Sequence, residues 1–201
     1  MGKKKSTGGL TKKHWFGYMF GDWGGCMTFT LMSSIFTVYC TDCLGVDTGI
    51  LGTLVIIWTI WDAINDPMMG ALMDKAFAKH TNKNGKFRPW LLRATPLLAV
   101  TFIALFIVPT FFEGVTLLVV LFMCKILYEA AYTMFNIPMG SLLSAMSNND
   151  AERASLSSAR GFGSTVGGMV GMMAIPVVLD ALGETPFGYA ATATVAAGLG
   201  C

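Results

Sequence analysis

A chain of 201 residues with 54% apolar and only 13% charged side chains carries about half the charge of an ordinary soluble domain. Its net charge of +2 gives no reason to expect a nucleic-acid partner, because the basic residues are placed as membrane-topology signals. No nucleophile–base pair, phosphate loop or zinc-ligand spacing is present, so an enzyme is the least expected class.

Residues 1–14 form a basic N-terminus carrying Lys3, Lys4, Lys5, Lys12 and Lys13. The remainder, 15–201, reads as one all-helical unit whose apolar blocks match the roughly 20 residues a membrane helix needs. Spans are predicted at about 15–41, 48–74, 90–112, 115–145 and 157–180. No block shows the polar–apolar alternation of a membrane β-barrel. The first is too long for a signal peptide, and Cys40, Thr41 and Asp42 make no small-residue cleavage site. A sixth span starts near Phe187 and stops at Cys201. As a helix, residues 187–201 cover about 22 Å, short of a hydrocarbon core of about 30 Å. The expectation is a fragment, a split-gene product or a dimerising half, with a C-terminal half or a complementing chain as the missing partner.

Lys75, Lys79, Lys83, Lys86, Arg88 and Arg93 crowd the second connection, and Arg153 and Arg160 flank the fourth. The other three connections hold no Lys or Arg, only Asp42, Asp47, Glu113, Asp180 and Glu184. Lys and Arg stay cytoplasmic, so the N-terminus is expected inside and the acidic loops outside. This describes a multi-pass plasma-membrane protein, in a bacterium the inner membrane. The five cysteines are scattered and suggest no disulfide framework. His14 and His80 have no partner at ligand spacing and receive no role.

Ionisable residues inside a span cost about 2.5–3.5 kcal/mol on insertion scales and mark functional sites. Asp22, between aromatics and glycines in the first span, has two readings: a hydrogen-bonding group for a polyol, or a carboxylate wetted at the cytoplasmic interface. In the second span Asp62 and Asp66 share a face one turn apart, and no Lys or Arg on that helix neutralises them. Two ionised carboxylates so close favour a proton or a cation between them. Asn65 adds an amide oxygen, and hard oxygen ligands suit a small hard cation. Lys125 and Glu129 are four apart in the fourth span and are expected to pair with each other. Tyr132, Thr133, Asn136 and Pro138 follow as a polar, aromatic and helix-loosening group suited to a sugar. Gly163, Gly167 and Gly171 recur every fourth residue, the spacing of a close helix–helix seam.

The stretch Ile60-Trp61-Asp62-Ala63-Ile64-Asn65-Asp66-Pro67-Met68-Met69-Gly70 resembles the second-helix signature of the glycoside–pentoside–hexuronide:cation symporters, typified by melibiose permease. Gly17-Tyr18, Gly21-Asp22-x-Gly24 and Tyr39-x-Thr41-Asp42-x-x-Gly45 resemble that family's first helix. Gly85-Lys86-Phe87-Arg88-Pro89-Trp90 and Tyr132-Thr133-x-x-Asn136-Ile137-Pro138 resemble its second loop and fourth helix. The resemblance runs from about residue 14 to 165. It implies an all-α membrane protein, the N-terminal six-helix half of a major facilitator fold with its sixth helix truncated. It implies a sodium, lithium or proton site at Asp62, Asn65, Asp66 and Thr133, with Asp62 and Asp66 as metal ligands if the ion is sodium. It places Tyr132, Asn136 and Arg160 toward a sugar cavity and makes Gly70, Asp74, Gly85, Lys86 and Arg88 a cytoplasmic loop motif. Cys26 and Asn136 stand where melibiose permease has aspartates, with Asp22 one turn before Cys26. Asn136-Ile137-Pro138-Met139-Gly140-Ser141-Leu142 is nearer the xyloside and glucuronide branch.

The expected function is symport of sodium or a proton with a sugar or glycoside, without other cofactors. A cation at Asp62 and Asp66 would fix the second helix against the fourth and order the sugar cavity. The chain alone is not expected to transport, and glycoside uptake by liposomes containing only residues 1–201 would contradict that. Two alternatives stand: a lysolipid or other small-solute symporter of related fold, marked by cation-dependent lysolipid binding, and a non-transporting remnant.

Overall fold

Hydrocarbon offers no hydrogen bonds to a backbone, so a chain this apolar satisfies its peptide groups within helices. A computed structural model describes residues 12–79, 87–147 and 149–200. It contains α1 (Lys12–Val38), α2 (Thr48–Lys79), α3 (Arg88–Ile107), α4 (Gly114–Met146), α5 (Asp150–Leu182) and α6 (Pro186–Gly200). A π-helical turn, Tyr39–Cys43, extends α1, and a 3-10 turn, Val108–Phe111, extends α3. Gly85 and Lys86, two members of the expected loop motif, lie outside the described residues.

Local chemistry sets several ends. Asp47 Oδ1 accepts from the backbone N–H groups of Gly49 (2.8 Å) and Ile50 (3.2 Å), which starts α2. The Asn149 side chain accepts from the Ala151 N–H at 3.0 Å. Asp150 and Glu152 then lie in the first turn, where the helix dipole favours acids. Helix α5 therefore begins at Asp150, ahead of its apolar block, because its first two turns are polar. Its end is closed by Gly183 at φ 80°, a conformation suited to glycine. Pro67, Pro96, Pro138 and Pro176 all lie within helices, as membrane helices tolerate.

Helices α2, α3 (with its 3-10 turn), α4 and α5 are each long and apolar enough to cross a membrane. That is fewer than the six blocks read from the sequence. Helix α1 has the length, 27 residues, but glycines, threonines and Asp22 dilute it. Helix α6 has 15 residues.

Packing follows a repeat. Helix α1 lies against α5 as α4 lies against α2, and α3 lies against α4 as α6 lies against α1. Exchanging α1–α3 with α4–α6 maps these four contacts onto one another, as expected of a half built from two three-helix repeats. Among the described residues α5 also packs on α6, without an equally extensive α2–α3 contact. The α1–α5 seam is closed by glycine: a Cβ on Gly163 would lie 2.3 Å from the Met19 carbonyl oxygen, and one on Gly167 2.7 Å from that of Trp23. Helix α2 buries little more than Leu51, Trp58, Asn65 and Met73, a single stripe spaced at about two turns. Helix α4 answers with a stripe at every fourth residue, Leu117, Leu121, Lys125, Glu129 and Thr133, all buried. Polar residues are thus built into the α2–α4 seam.

Candidate cation and sugar sites

Asp22 sits on the buried side of α1, 3% exposed. Its Oδ1 lies 3.0 Å from Arg160 Nε of α5. Ser164, one turn after Arg160, donates its hydroxyl to Asp22 Oδ2, and the Cys26 thiol approaches the same oxygen at 3.6 Å. Arg160 extends to α4, where Nη2 donates to Asn136 Oδ1 at 3.0 Å. Asp22, Cys26, Asn136 and Arg160 therefore form one network across three helices. Tyr132, one turn before Asn136, stacks on Phe29 at 5.0 Å between centroids and on Tyr128 at 6.3 Å. A wetted interfacial position for Asp22 is excluded, since burial without a partner is costly and the guanidinium supplies that partner. Donors and acceptors beside aromatic faces suit the hydroxyls and apolar faces of a sugar.

The second site is at the α2–α4 seam. Asn65 Nδ2 donates to Thr133 Oγ1 at 3.1 Å, and Thr133 Oγ1 donates to Asp66 Oδ1 at 3.0 Å. Asn65 is 1% exposed, and its Oδ1 has no hydrogen-bond partner among the described residues. Leaving a buried acceptor unpaired costs about 1–3 kcal/mol, so this oxygen is available to a cation or a proton donor. Asp66 reaches across to Thr133 of α4 through Oδ1 and is otherwise exposed. Asp62, half-buried, is not part of that chain of bonds. It lines a cavity of about 160 Å³ together with Lys125. Among the described residues no cluster of three or more His, Cys, Asp or Glu is placed to hold a metal. The donor set is instead carboxylate, amide and hydroxyl, which fits a hard monovalent cation.

Lys125 and Glu129 form an ion pair within α4, their side chains 8% and 9% exposed. Gly70 is half-buried, while Asp74 and Arg88 are exposed near the ends of α2 and α3. Three contributions were missed in the sequence. Ser164 could have been found, because it lies four residues after Arg160 on the same face. Phe29 and the placement of Lys125 beside Asp62 depend on packing between helices and leave no local signal. Cys26, Cys40, Cys43 and Cys124 are free thiols.

A bundle of apolar helices in two three-helix repeats, with ion pairs and hydrogen-bonded carboxylates in its seams, is the arrangement of one half of a major facilitator fold. Residues 17–201 match the MFS/sugar transport protein family, and the chain belongs to that family. It is 33% identical over 166 residues to the isoprimeverose transporter of Lactiplantibacillus pentosus, covering 81% of this chain and 33% of that one. It is 30% identical over 191 residues to the uncharacterized symporter YjmB of Bacillus subtilis, covering 95% of this chain and 41% of the relative. It is also 30% identical over 150 residues to the glucuronide carrier protein homolog of Escherichia coli, covering 75% and 32%. The chain thus spans about two fifths or less of the length of these relatives.

Proposed function

We propose that this chain supplies the cation site and one wall of the sugar site of a secondary transporter that couples sodium or a proton to a sugar or glycoside. The observation carrying the cation half is the buried, unpaired Asn65 Oδ1 beside Thr133 and Asp66. A monovalent cation would satisfy that oxygen and neutralise Asp66, with Asp62 adding negative charge one turn away. The cation is a co-substrate, bound and released in each cycle.

The sugar half is supported by the Asp22–Arg160–Asn136 network and the Tyr132 stack. Names borne by relatives suggest a glycoside of the isoprimeverose or glucuronide kind. Coupling would pass through α4, because Thr133 and Asn136 lie three residues apart on it. A cation joining Asn65 and Asp66 to Thr133 would fix α2 against α4, and solute binding would then meet an ordered wall. Such coupling is reciprocal in binding free energy. Alternating access would rock this bundle against a second half, with the basic N-terminus toward the cytoplasm and the protein in the plasma membrane. The cytoplasmic ends, with Gly70, Asp74, Gly85, Lys86 and Arg88, would carry a conformational lock.

The test titrates the chain in lipid nanodiscs with sodium, lithium and protons, reading heat of binding, alongside Asp66→Asn. Equilibrium dialysis of labelled isoprimeverose and a labelled glucuronide, with and without sodium, follows. Saturable cation binding lost in Asp66→Asn is expected. Binding that is unchanged in that variant overturns the assignment.

A further inference from the structure

The four-residue register of α2 and α4 sets two kinds of environment side by side. Asp66 meets a hydroxyl and an amide through Thr133 and Asn65. Asp62, one turn away, meets a cavity shared with Trp58, Phe36, Ser33 and Lys125. Among the described residues lining that cavity, Asp62 is the sole carboxylate. Among the same residues the Lys125 ammonium is the one cation lining it. The hydroxyls of Ser33 and Thr59 are turned to carbonyls of their own helices, and Trp58 Nε1, buried, has no acceptor among the described residues. Lys125 carries three N–H donors and its ion pair with Glu129 requires one. Its ammonium also lies over the rings of Phe36 (5.8 Å) and Tyr128 (5.5 Å). These contacts hold it in the membrane interior between one carboxylate on its own helix and the cavity wall of another.

We propose that Lys125 is a built-in counter-cation for Asp62, leaving the mobile cation to Asp66, Asn65 and Thr133. The inference rests on the cation-site reading above and divides the roles of its two carboxylates. The seam holds three acids, Asp62, Asp66 and Glu129, against one fixed base. One ammonium that pairs directly with Glu129 and shares a cavity with Asp62 offsets both charges and leaves Asp66 as the carboxylate that a diffusible ion must neutralise. Lys125 is therefore a positioning and selectivity residue: it keeps Asp62 from acting as a second ligand and limits the site to one monovalent ion.

The test measures sodium affinity of the whole chain in nanodiscs for Asp62→Asn and Asp66→Asn, in the natural background and in Lys125→Met/Glu129→Gln, which removes the pair as a unit. In the natural background Asp66→Asn abolishes binding, while Asp62→Asn changes it less than about threefold. In the pair-deleted background sodium binds at least about tenfold tighter, and Asp62→Asn then costs about tenfold, a coupling of the size neighbouring charges show. Lys125→Arg retains the natural pattern. If Asp62→Asn is as damaging as Asp66→Asn with Lys125 in place, Asp62 is a direct ligand and the proposal is overturned. A second readout needs no sodium: thermal midpoints of Asp62→Asn, Lys125→Met and their combination in the Glu129→Gln background. Non-additive shifts support the Asp62–Lys125 pair, and additive shifts overturn it. Absence of sodium, lithium and proton binding in every variant would sink the cation-site reading, and the thermal cycle would still decide the pairing.

Discussion

Replacing Gly163 by Ala adds one methyl group where α1 and α5 have no room for it. The new Cβ would lie 2.3 Å from the Met19 carbonyl oxygen, whereas close C···O contacts settle at about 3.3–3.6 Å. The two backbones must therefore part by about 1 Å. Overpacking of this kind costs about 1–3 kcal/mol. The same seam carries the 3.0 Å Asp22–Arg160 contact, and parting it weakens the pairing of a buried carboxylate, whose complete loss costs about 3–5 kcal/mol. The cost is therefore the overpacking of about 1–3 kcal/mol plus a fraction of the pairing loss. The expected order of damage is Gly163→Ala, then Gly167→Ala, then Gly171→Ala, since their Cβ atoms would lie 2.3, 2.7 and 3.4 Å from the nearest α1 atom. Gly161→Ala is the control: nothing lies within 4 Å of its Cβ, and alanine is the better helix former by up to about 1 kcal/mol. Thermal unfolding in detergent, followed by tryptophan fluorescence, reads the series. Equal midpoints for Gly163→Ala and Gly161→Ala would refute a glycine-closed seam.

Removing either partner of the Asp22–Arg160 pair should be unequal. Asp22 is 4% exposed and Arg160 28%, so Arg160→Gln strands the more deeply buried charge and should lower the unfolding midpoint further than Asp22→Asn. Asn65→Leu removes one interhelical hydrogen bond, worth about 0.6 kcal/mol on average in a membrane protein. Its midpoint should shift little while calorimetric sodium binding disappears; retained binding would exclude Asn65 Oδ1 as a ligand. Tyr132→Leu gives up an aromatic stack worth about 0.5–1.5 kcal/mol. Dialysis against a labelled glycoside should show its loss of binding, and undiminished binding would remove Tyr132 from the sugar wall.

The helices were legible because apolar blocks of membrane length impose helical backbone whatever surrounds them. Their ends were less so: α5 starts at Asp150, where Asn149 and two acids extend it past the apolar block that marks it. Residues on one helix at spacing four were equally legible, including Asp62 with Asp66 and Lys125 with Glu129. Contacts between helices were not. Nothing in the sequence tells that Arg160 neutralises Asp22 across α1 and α5, because that pairing depends on glycines bringing two helices close enough. Lys125 shows the same limit. On its own helix it has Glu129, and only packing places it beside an acid more than sixty residues away in the chain.

The two seams also differ in how firmly they are held. Burial does not separate them, since 17% of the apolar window of α2 is buried and 11% of that of α5; what differs is the kind of contact. In hydrocarbon little hydrophobic drive exists between helices, so packing and polar contacts supply the adhesion. The α1–α5 seam has close glycine packing and a buried ion pair. Helix α2 has a sparse stripe with Asn65 at its centre, and Thr133 links Asn65 and Asp66 to α4. A cation joining these groups therefore acts at the seam with the fewest other restraints, where a small binding energy changes helix position most. Hydrogen exchange of the chain in nanodiscs should show sodium slowing α2 amides around residues 60–70 and α4 amides near Thr133, with α1 and α5 unchanged. Protection concentrated along α1 and α5 would show that the ion acts elsewhere.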